Sequence, residues 1–472
     1  MVFSSNIFLI LFLPVFLVGY FACPKKWRNM VLLLFSIVFY AYGASTFILF
    51  LLGSTVVNFY LVKLLYKAER LAYRRLFAGL AITVSLGILA YFKYANFFVD
   101  NLNSLLVAFG LEPFVFAKVL LPIGISFFTF QSITYVVDTY RNVHKPMERL
   151  TDYMLYIIMF PQLIAGPIVR YCDIADEIRH REQNWPEILQ GFYRFVIGLS
   201  KKVLIADVIG RQVDQILSGN LLTMGTDTAW ITIIAYTMQL YFDFSGYSDM
   251  AIGLGKIMGF HFPENFDNPY NSSSVSEFWR RWHITLGTFM RNYLYIPLGG
   301  NRCSKPRMYF NLWVVFLLSG LWHGASWNFV VWGAYHGFWL VLERIGLGKV
   351  YEKMGKVPGV LLTFIIVTVG WALFRIENLS DAFTFISRLF AFDFQPTIPI
   401  SSPHFYVTLL VAVFFSFFTL FPLGKKSQKA VFYTDYSNRQ HLLVWSFAML
   451  FFVFCLSALN AAGFSPFIYF RF

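Results

Sequence analysis

The sequence predicts an all-α polytopic membrane protein, and three observations predict it. Hydrophobic residues make up 58% of the 472 positions, with a mean hydropathy of +0.60. Charged residues make up only 13%, against roughly 25% in a soluble domain. The apolar residues also fall in long runs instead of alternating from face to face. That pattern suits membrane helices and excludes an outer-membrane barrel.

The apolar runs lie near residues 7–22, 30–43, 45–65, 76–98, 117–138, 188–209, 228–252, 309–343, 358–375, 404–423 and 442–462. The first has no basic residue before it, so it reads as a retained span and not as a cleaved signal peptide. The run 309–343 is long enough for two helices, with a break expected near Gly324. Together the runs give about ten to twelve crossings. The expected organisation is one integral-membrane domain. It has peripheral N-terminal spans at 1–115, a core at about 117–345, and C-terminal spans with a tail at 358–472.

Orientation follows from the basic loops. Lys25, Lys26 and Arg28 follow the first run; Lys67, Arg70, Arg74 and Arg75 follow the third; Arg141, Lys145 and Arg149 follow the fifth. The positive-inside rule puts these loops in the cytoplasm and the N-terminus outside. The net charge of +13 is thereby spread over loops facing anionic lipid. It is not gathered in one domain, which excludes a nucleic-acid-binding function. The four cysteines show no CxxC spacing, so neither a disulfide framework nor a metal site is predicted.

The middle third departs from this pattern. Residues 151–170 are apolar but have basic residues at both ends, as expected of a re-entrant element. Residues 239–304 mix Gly, Asn, Asp, Ser and Pro with apolar patches, as expected of the wall of a polar cavity. Residues 173–187 are the most charged in the chain and read as a solvated cytoplasmic loop, or as a docking site for a soluble acyl donor. Asp243 and Asp249 are expected to cap backbone groups or to orient a histidine. Gly255 and Gly259 have GxxxG spacing, but Lys256 between them weakens a helix-dimer reading.

Ser274 and Glu277 fit a capping box that starts a helix. From there Trp279, Trp282, Leu286, Phe289, Met290 and Tyr293 recur at helical spacing, and His283 falls on the flank of that stripe. His323 lies between Trp322 and Gly324, after Ser319 and Gly320. An ionisable group in a membrane interior is costly, and imidazole transfers protons near neutral pH. Both histidines are therefore candidates for chemistry; the other reading is a buried histidine satisfied by its neighbours. His336 lies thirteen residues beyond His323, roughly 20 Å along an unbroken helix. It reads as structural. From the residues alone, an enzyme and a proton-relaying transporter both remain open, although no inverted repeat is visible.

Several long motifs then carry a likeness. Met159 to Arg170 (MFPQLIAGPIVR), Tyr241 to Ala251 (YFDFSGYSDMA), Pro263 to Phe266 (PENF), Phe278 to His283 (FWRRWH), Tyr293 to Arg302 (YLYIPLGGNR) and Gly320 to Gly324 (GLWHG) occur in order. The chain resembles the membrane-bound O-acyltransferases, in the bacterial branch typified by the alginate O-acetyltransferase membrane subunit. That resemblance implies a ring of transmembrane helices around a thinned centre with re-entrant elements. It implies transfer of an acetyl group from a cytoplasmic thioester, acetyl-CoA or another, to an extracytoplasmic or cell-wall polysaccharide hydroxyl, with no metal and no permanently bound cofactor. The alternative within the family is D-alanyl transfer to teichoic acid from a carrier protein. His323 matches the family's essential histidine and His283 its second signature residue.

Trp322, Trp282, Asn268, Ser319, Asp243 and His336 are the expected supporting residues of the cavity. Trp indole N–H groups, Asn268 and His283 are candidate donors to the oxyanion. The terminal Pro466 to Phe472 run resembles the aromatic ending of a small partner in D-alanylation systems, making Tyr469 a candidate acyl relay; the other reading is an interfacial aromatic anchor. An SGNH hydrolase-like partner outside the cytoplasm is expected to complete the transfer, in a bacterial inner membrane.

Overall fold

The computed structural model describes residues 1–394 and 402–462. Among them the chain is helical, with one isolated antiparallel bridge between Phe266 and Trp282. Five helical stretches are long and apolar enough to cross a bilayer: Lys25–Lys67, Leu71–Ala108, Lys356–Arg375, Pro403–Leu420 and Asn438–Ala461. Ile7–Ala22 is a shorter apolar helix. The expected break in the run 309–343 is present: Lys305–His323 ends at Gly324, and Trp327–Leu342 follows. The chain divides into two compact units, residues 1–183 with 258–263, and 184–257 with 264–472.

In the first unit the segment 151–170 is broken, as a re-entrant element requires. Leu150–Ile158 stops at Met159, and Phe160–Leu163 is one short turn. The backbone groups freed by the break are paired by side chains. The N–H of Phe160 donates to Ser36 Oγ at 3.1 Å, and the carbonyl of Tyr156 accepts from Gln162 Nε2 at 2.5 Å. Phe160 itself is fully buried among the rings of Phe8, Phe12, Phe16 and Phe39. Burial of that much apolar area stabilises a backbone that could not stand irregular in lipid.

The charged stretch 173–187 is not the solvated loop expected. It opens with an amphipathic helix, Tyr171–Arg179, whose Ile174, Ala175 and Ile178 are buried. Arg181 then donates to Asn29 Oδ1, Tyr20 Oη and the Met258 carbonyl. Its charge count hid a buried face at helical spacing.

In the second unit, the helices Trp185–Ser200 and Thr226–Ile257 pack backbone to backbone. Gly191 and Gly198 on one helix face Gly253 and Gly246 on the other. A Cβ on Gly191 would lie 2.7 Å from the Gly253 carbonyl oxygen, and one on Gly246 would lie 2.7 Å from that of Gly198. The small residues of this helix that matter are thus Gly246 and Gly253, seven apart, and not the GxxxG pair.

That approach places two ion-pair sets. A π-helical segment, Lys201–Ala206, turns Lys201 and Lys202 toward the acidic residues of Thr226–Ile257. Lys202 pairs with Asp207 and, at 3.0 Å, with Asp243. Asp249 accepts from Arg194 and Lys201, each at 2.6 Å. Asp243 and Asp249 are thus ion-paired to cations, where backbone caps were expected. They lie mid-helix, where no backbone N–H is left to cap, and buried carboxylates there need cations.

Candidate active site

The capping box expected at residue 274 is half present. Ser274 Oγ accepts from the Glu277 N–H at 3.1 Å, whereas the Glu277 carboxylate turns back to Ser273. The helix it starts, Val275–Arg281, is short. The continuous helix expected through Tyr293 is interrupted at Trp282 and His283 and resumes as Ile284–Phe289. His283 stands at the break with φ +46° and ψ +54°, not on the flank of a helical stripe. A left-handed conformation is unusual for a residue with a Cβ, and it is held only where the surroundings over-determine it.

The PENF loop supplies those surroundings. A break leaves carbonyls before it and N–H groups after it without intrahelical partners. The Arg281 carbonyl accepts from Asp267 N at 3.0 Å, and Ile284 N donates to the Asn265 carbonyl at 3.0 Å. Phe266 and Trp282 form the bridge between these two bonds. The Asn265 side chain then caps the second helix. Its Oδ1 accepts from Thr285 N, from Thr285 Oγ1 at 2.9 Å and from His283 Nδ1 at 2.9 Å, while its Nδ2 donates to Ser248 Oγ at 3.0 Å.

This network fixes a tautomer. The Thr285 backbone N–H can only donate, so the atom facing it is the oxygen of Asn265. His283 must then donate through Nδ1, which leaves a lone pair on Nε2 in the neutral ring. Nε2 has no hydrogen-bond partner among the described residues. In the neutral ring so held, Nδ1 carries the proton and Nε2 the lone pair.

His283 lies at the inner end of a cavity of about 250 Å³. Trp282 and Ser319, both expected there, line it with Trp279, Leu286, Met290, Leu312, Val315, Phe316 and Leu340. Arg280, Arg291 and Arg344 line its outer end and are exposed.

His323 ends the helix Lys305–His323, one turn beyond Ser319 on the same face. It is 5% exposed and does not line the cavity. Trp322 lies between the two histidines, with ring centroids 6.0 Å from His283 and 4.9 Å from His323. Gly324 is required by space: any Cβ there would run into the Phe329 ring. Because the helix breaks at Gly324, His323 and His336 are closer than the unbroken spacing implies. The Trp332 ring touches both, at 5.1 and 5.0 Å. His336 is fully buried among Trp279, Trp332 and Tyr335, and neither ring nitrogen has a hydrogen-bond partner among the described residues.

The remaining expected residues lie elsewhere. Asp243 faces Lys202. Asn268 takes the left-handed conformation, donates to Asp267 and Gln428, and lines a separate small polar cavity with Arg194, Lys201 and Glu264. Trp322 stands behind the main cavity without lining it. Tyr469 lies outside the described residues. The residue that sequence reasoning missed is Asn265. Its signal was the PENF run itself.

Comparison with known proteins identifies the family. A family model described as the membrane-bound O-acyltransferase family matches residues 80–347, which hold the re-entrant element and both histidines. The chain is 42% identical to the probable alginate O-acetylase AlgI of Pseudomonas putida over the full length of both. It is 48% identical to that of Pseudomonas aeruginosa over 83% of this chain and 75% of the relative. It is 37% identical to the peptidoglycan O-acetyltransferase of Helicobacter pylori over 81% of this chain and 78% of the relative. With most of the chain covered and one family matched across the site, the protein belongs to the membrane-bound O-acyltransferases.

Proposed function

We propose that the chain transfers an acetyl group from a cytoplasmic thioester donor, acetyl-CoA being the simplest, to hydroxyls of an extracytoplasmic or cell-wall polysaccharide. The observation that carries this reading is the cavity ending on His283 and Ser319, one helical turn from His323. The relatives named above support acetylation of alginate-like or peptidoglycan hydroxyls.

The step follows from the residue types. A hydroxyl is a weak nucleophile at neutral pH, and a neutral imidazole takes its proton as it attacks. In this reading His323 removes the proton and the oxygen bonds to the thioester carbonyl carbon. The tetrahedral oxyanion collapses with cleavage of the C–S bond. The thiolate takes the proton back from the imidazolium. In this reading Trp indole N–H groups and the Ser319 hydroxyl donate to the oxyanion. His283, whose Nε2 has no partner among the described residues, is the second base in this reading.

The core 117–345 carries the chemistry, and the N-terminus faces outside an inner membrane. An SGNH-type partner receives the acetyl group, with Tyr469 as relay. The test is to feed a labelled acetyl donor to membranes containing the chain and to identify the glycan that gains label. Label in a polysaccharide, absent with His323→Ala, supports the reading; label in no glycan contradicts it. Unchanged polymer acetylation with Tyr469→Phe refutes the relay alone.

A further inference from the structure

The connection between the spans Pro403–Leu420 and Asn438–Ala461 folds as a helix, Pro422–Phe432. Its sequence, PLGKKSQKAVF, gives it three sides. Gly424 is buried, and Gln428 and Phe432, one and two turns on, are half-buried, so this side faces the protein. Lys425, Lys426 and Lys429 are exposed on a second side. Leu423, Ala430 and Val431 are exposed on the third. None of the three lysines has an ion-pair partner among the described residues. A helix tethered between two spans stays at the membrane surface. Exposed apolar residues beside lysines are unfavourable in water and favourable at the boundary between headgroups and acyl chains. The basic excess puts that boundary on the cytoplasmic side.

The inner side of this helix meets the loop that holds His283. Gln428 Oε1 accepts from Asn268 Nδ2 at 3.0 Å, and the same amide donates to Asp267 Oδ1 at 3.0 Å. Asp267 N in turn donates to the Arg281 carbonyl at the break before His283. The Arg194 guanidinium carbon lies 4.4 Å from the centre of the Phe432 ring, and Arg194 pairs with Glu264 at 2.6 Å. Glu264 and Asn268 flank Asn265, the acceptor for His283 Nδ1. We infer that Pro422–Phe432 docks on an anionic phospholipid surface, with its lysines on the headgroups and Leu423, Ala430 and Val431 among the upper acyl chains, and that this contact steadies the PENF loop and the break at His283. An acidic protein would match the lysines but leave the apolar side in water; a lipid surface covers both.

The test is hydrogen–deuterium exchange of the full-length chain in vesicles of phosphatidylcholine, with and without phosphatidylglycerol, following the amides of 421–434 and of 264–268. In the wild type both segments are expected to exchange more slowly with phosphatidylglycerol, the first by about fivefold for each lysine engaged. The triple variant Lys425→Gln, Lys426→Gln, Lys429→Gln should abolish the difference in both segments, and its exchange elsewhere reports whether the fold is intact. Salt at about 1 M should do the same without any substitution. Gln428→Leu should keep the protection of 421–434 and lose that of 264–268. Acetyl transfer, which rests on the reading above, is expected to run faster with phosphatidylglycerol in the wild type and at one rate in both vesicles in the triple variant.

Equal exchange of 421–434 in the two vesicles overturns the docking, as does a difference that survives both the triple substitution and high salt. Protection by an acidic acyl carrier protein in phosphatidylcholine vesicles, with none from phosphatidylglycerol, assigns this face to a protein and overturns it too. Protection of 264–268 that persists in Gln428→Leu overturns the link to the loop. Failure of the acyl-transfer reading is separate: the wild type then transfers acetyl in neither vesicle, while the exchange still decides the helix.

Discussion

His283 and Asn265 are joined by one hydrogen bond of 2.9 Å, from the imidazole Nδ1 to the amide Oδ1. That bond links two motifs, FWRRWH, which lines the main cavity, and PENF, which lines the smaller polar one. It decides which ring nitrogen holds the lone pair, and Thr285 on the same oxygen keeps the amide from flipping. The consequence is a neutral ring whose Nε2 keeps its lone pair and has no hydrogen-bond partner among the described residues.

Replacing Asn265 separates its two tasks. Asn265→Ala removes the acceptor for His283 and Thr285 and is expected to cost about 1–3 kcal/mol of stability together with transfer. Asn265→Asp keeps the acceptor but adds a negative charge facing Nδ1, which favours the imidazolium. The base form then appears only at higher pH, so the acid limb of the pH–rate profile should move upward by roughly 1–3 units. A profile unchanged in Asn265→Asp would show that His283 takes no part in the proton transfer.

The glycine contact between Trp185–Ser200 and Thr226–Ile257 admits no side chain. A Cβ on Gly198 would lie 2.7 Å from Met250 N. Gly198→Val and Gly246→Val are each expected to destabilise by about 1–3 kcal/mol or more through overpacking. Thermal unfolding in detergent reads this directly. A variant that keeps the wild-type Tm would mean that these helices can part without cost.

Lys202 is the cation for two buried carboxylates, Asp207 and Asp243. Lys202→Met removes this cation from both and is expected to cost about 3–5 kcal/mol. Adding Asp243→Asn should return part of that loss, because it removes one of the stranded charges. Chemical or thermal unfolding of the single and double variants measures the coupling; purely additive losses would contradict the pairing.

Gly324 ends the helix that carries His323, with Phe329 packed over it. Gly324→Ala should displace either Phe329 or the end of that helix. Transfer is expected to fall by more than tenfold, with a smaller change in stability, as for a misplaced reacting group. Equal losses in both would assign Gly324 to packing alone.

Much of this was legible in the residues. The apolar runs marked the helices, and flanking basic residues marked the segment 151–170 as something other than a simple crossing. Gly324 marked the divide between Lys305–His323 and Trp327–Leu342. What stayed hidden depends on contacts far apart in sequence. The stripe from Trp279 to Tyr293 has helical period on both sides of His283, so periodicity could not reveal the break. That break exists because Asn265 and Asp267 supply its hydrogen bonds. Asp243 and Asp249 looked like caps because their cations, on Lys201–Ala206 and at Arg194, come from another helix. The glycines at 191 and 198 carry no local signal; their need is set wholly by the helix opposite.

The most direct measurement is the rate at which labelled acetyl leaves the thioester for the glycan in membranes carrying wild type, His323→Ala or His283→Ala at equal protein level. Loss of a general base should slow the step by about 10²–10⁴-fold, and His323→Ala is predicted to fall in that range. Transfer by His323→Ala within twofold of wild type would contradict the assignment of the chemistry to this imidazole.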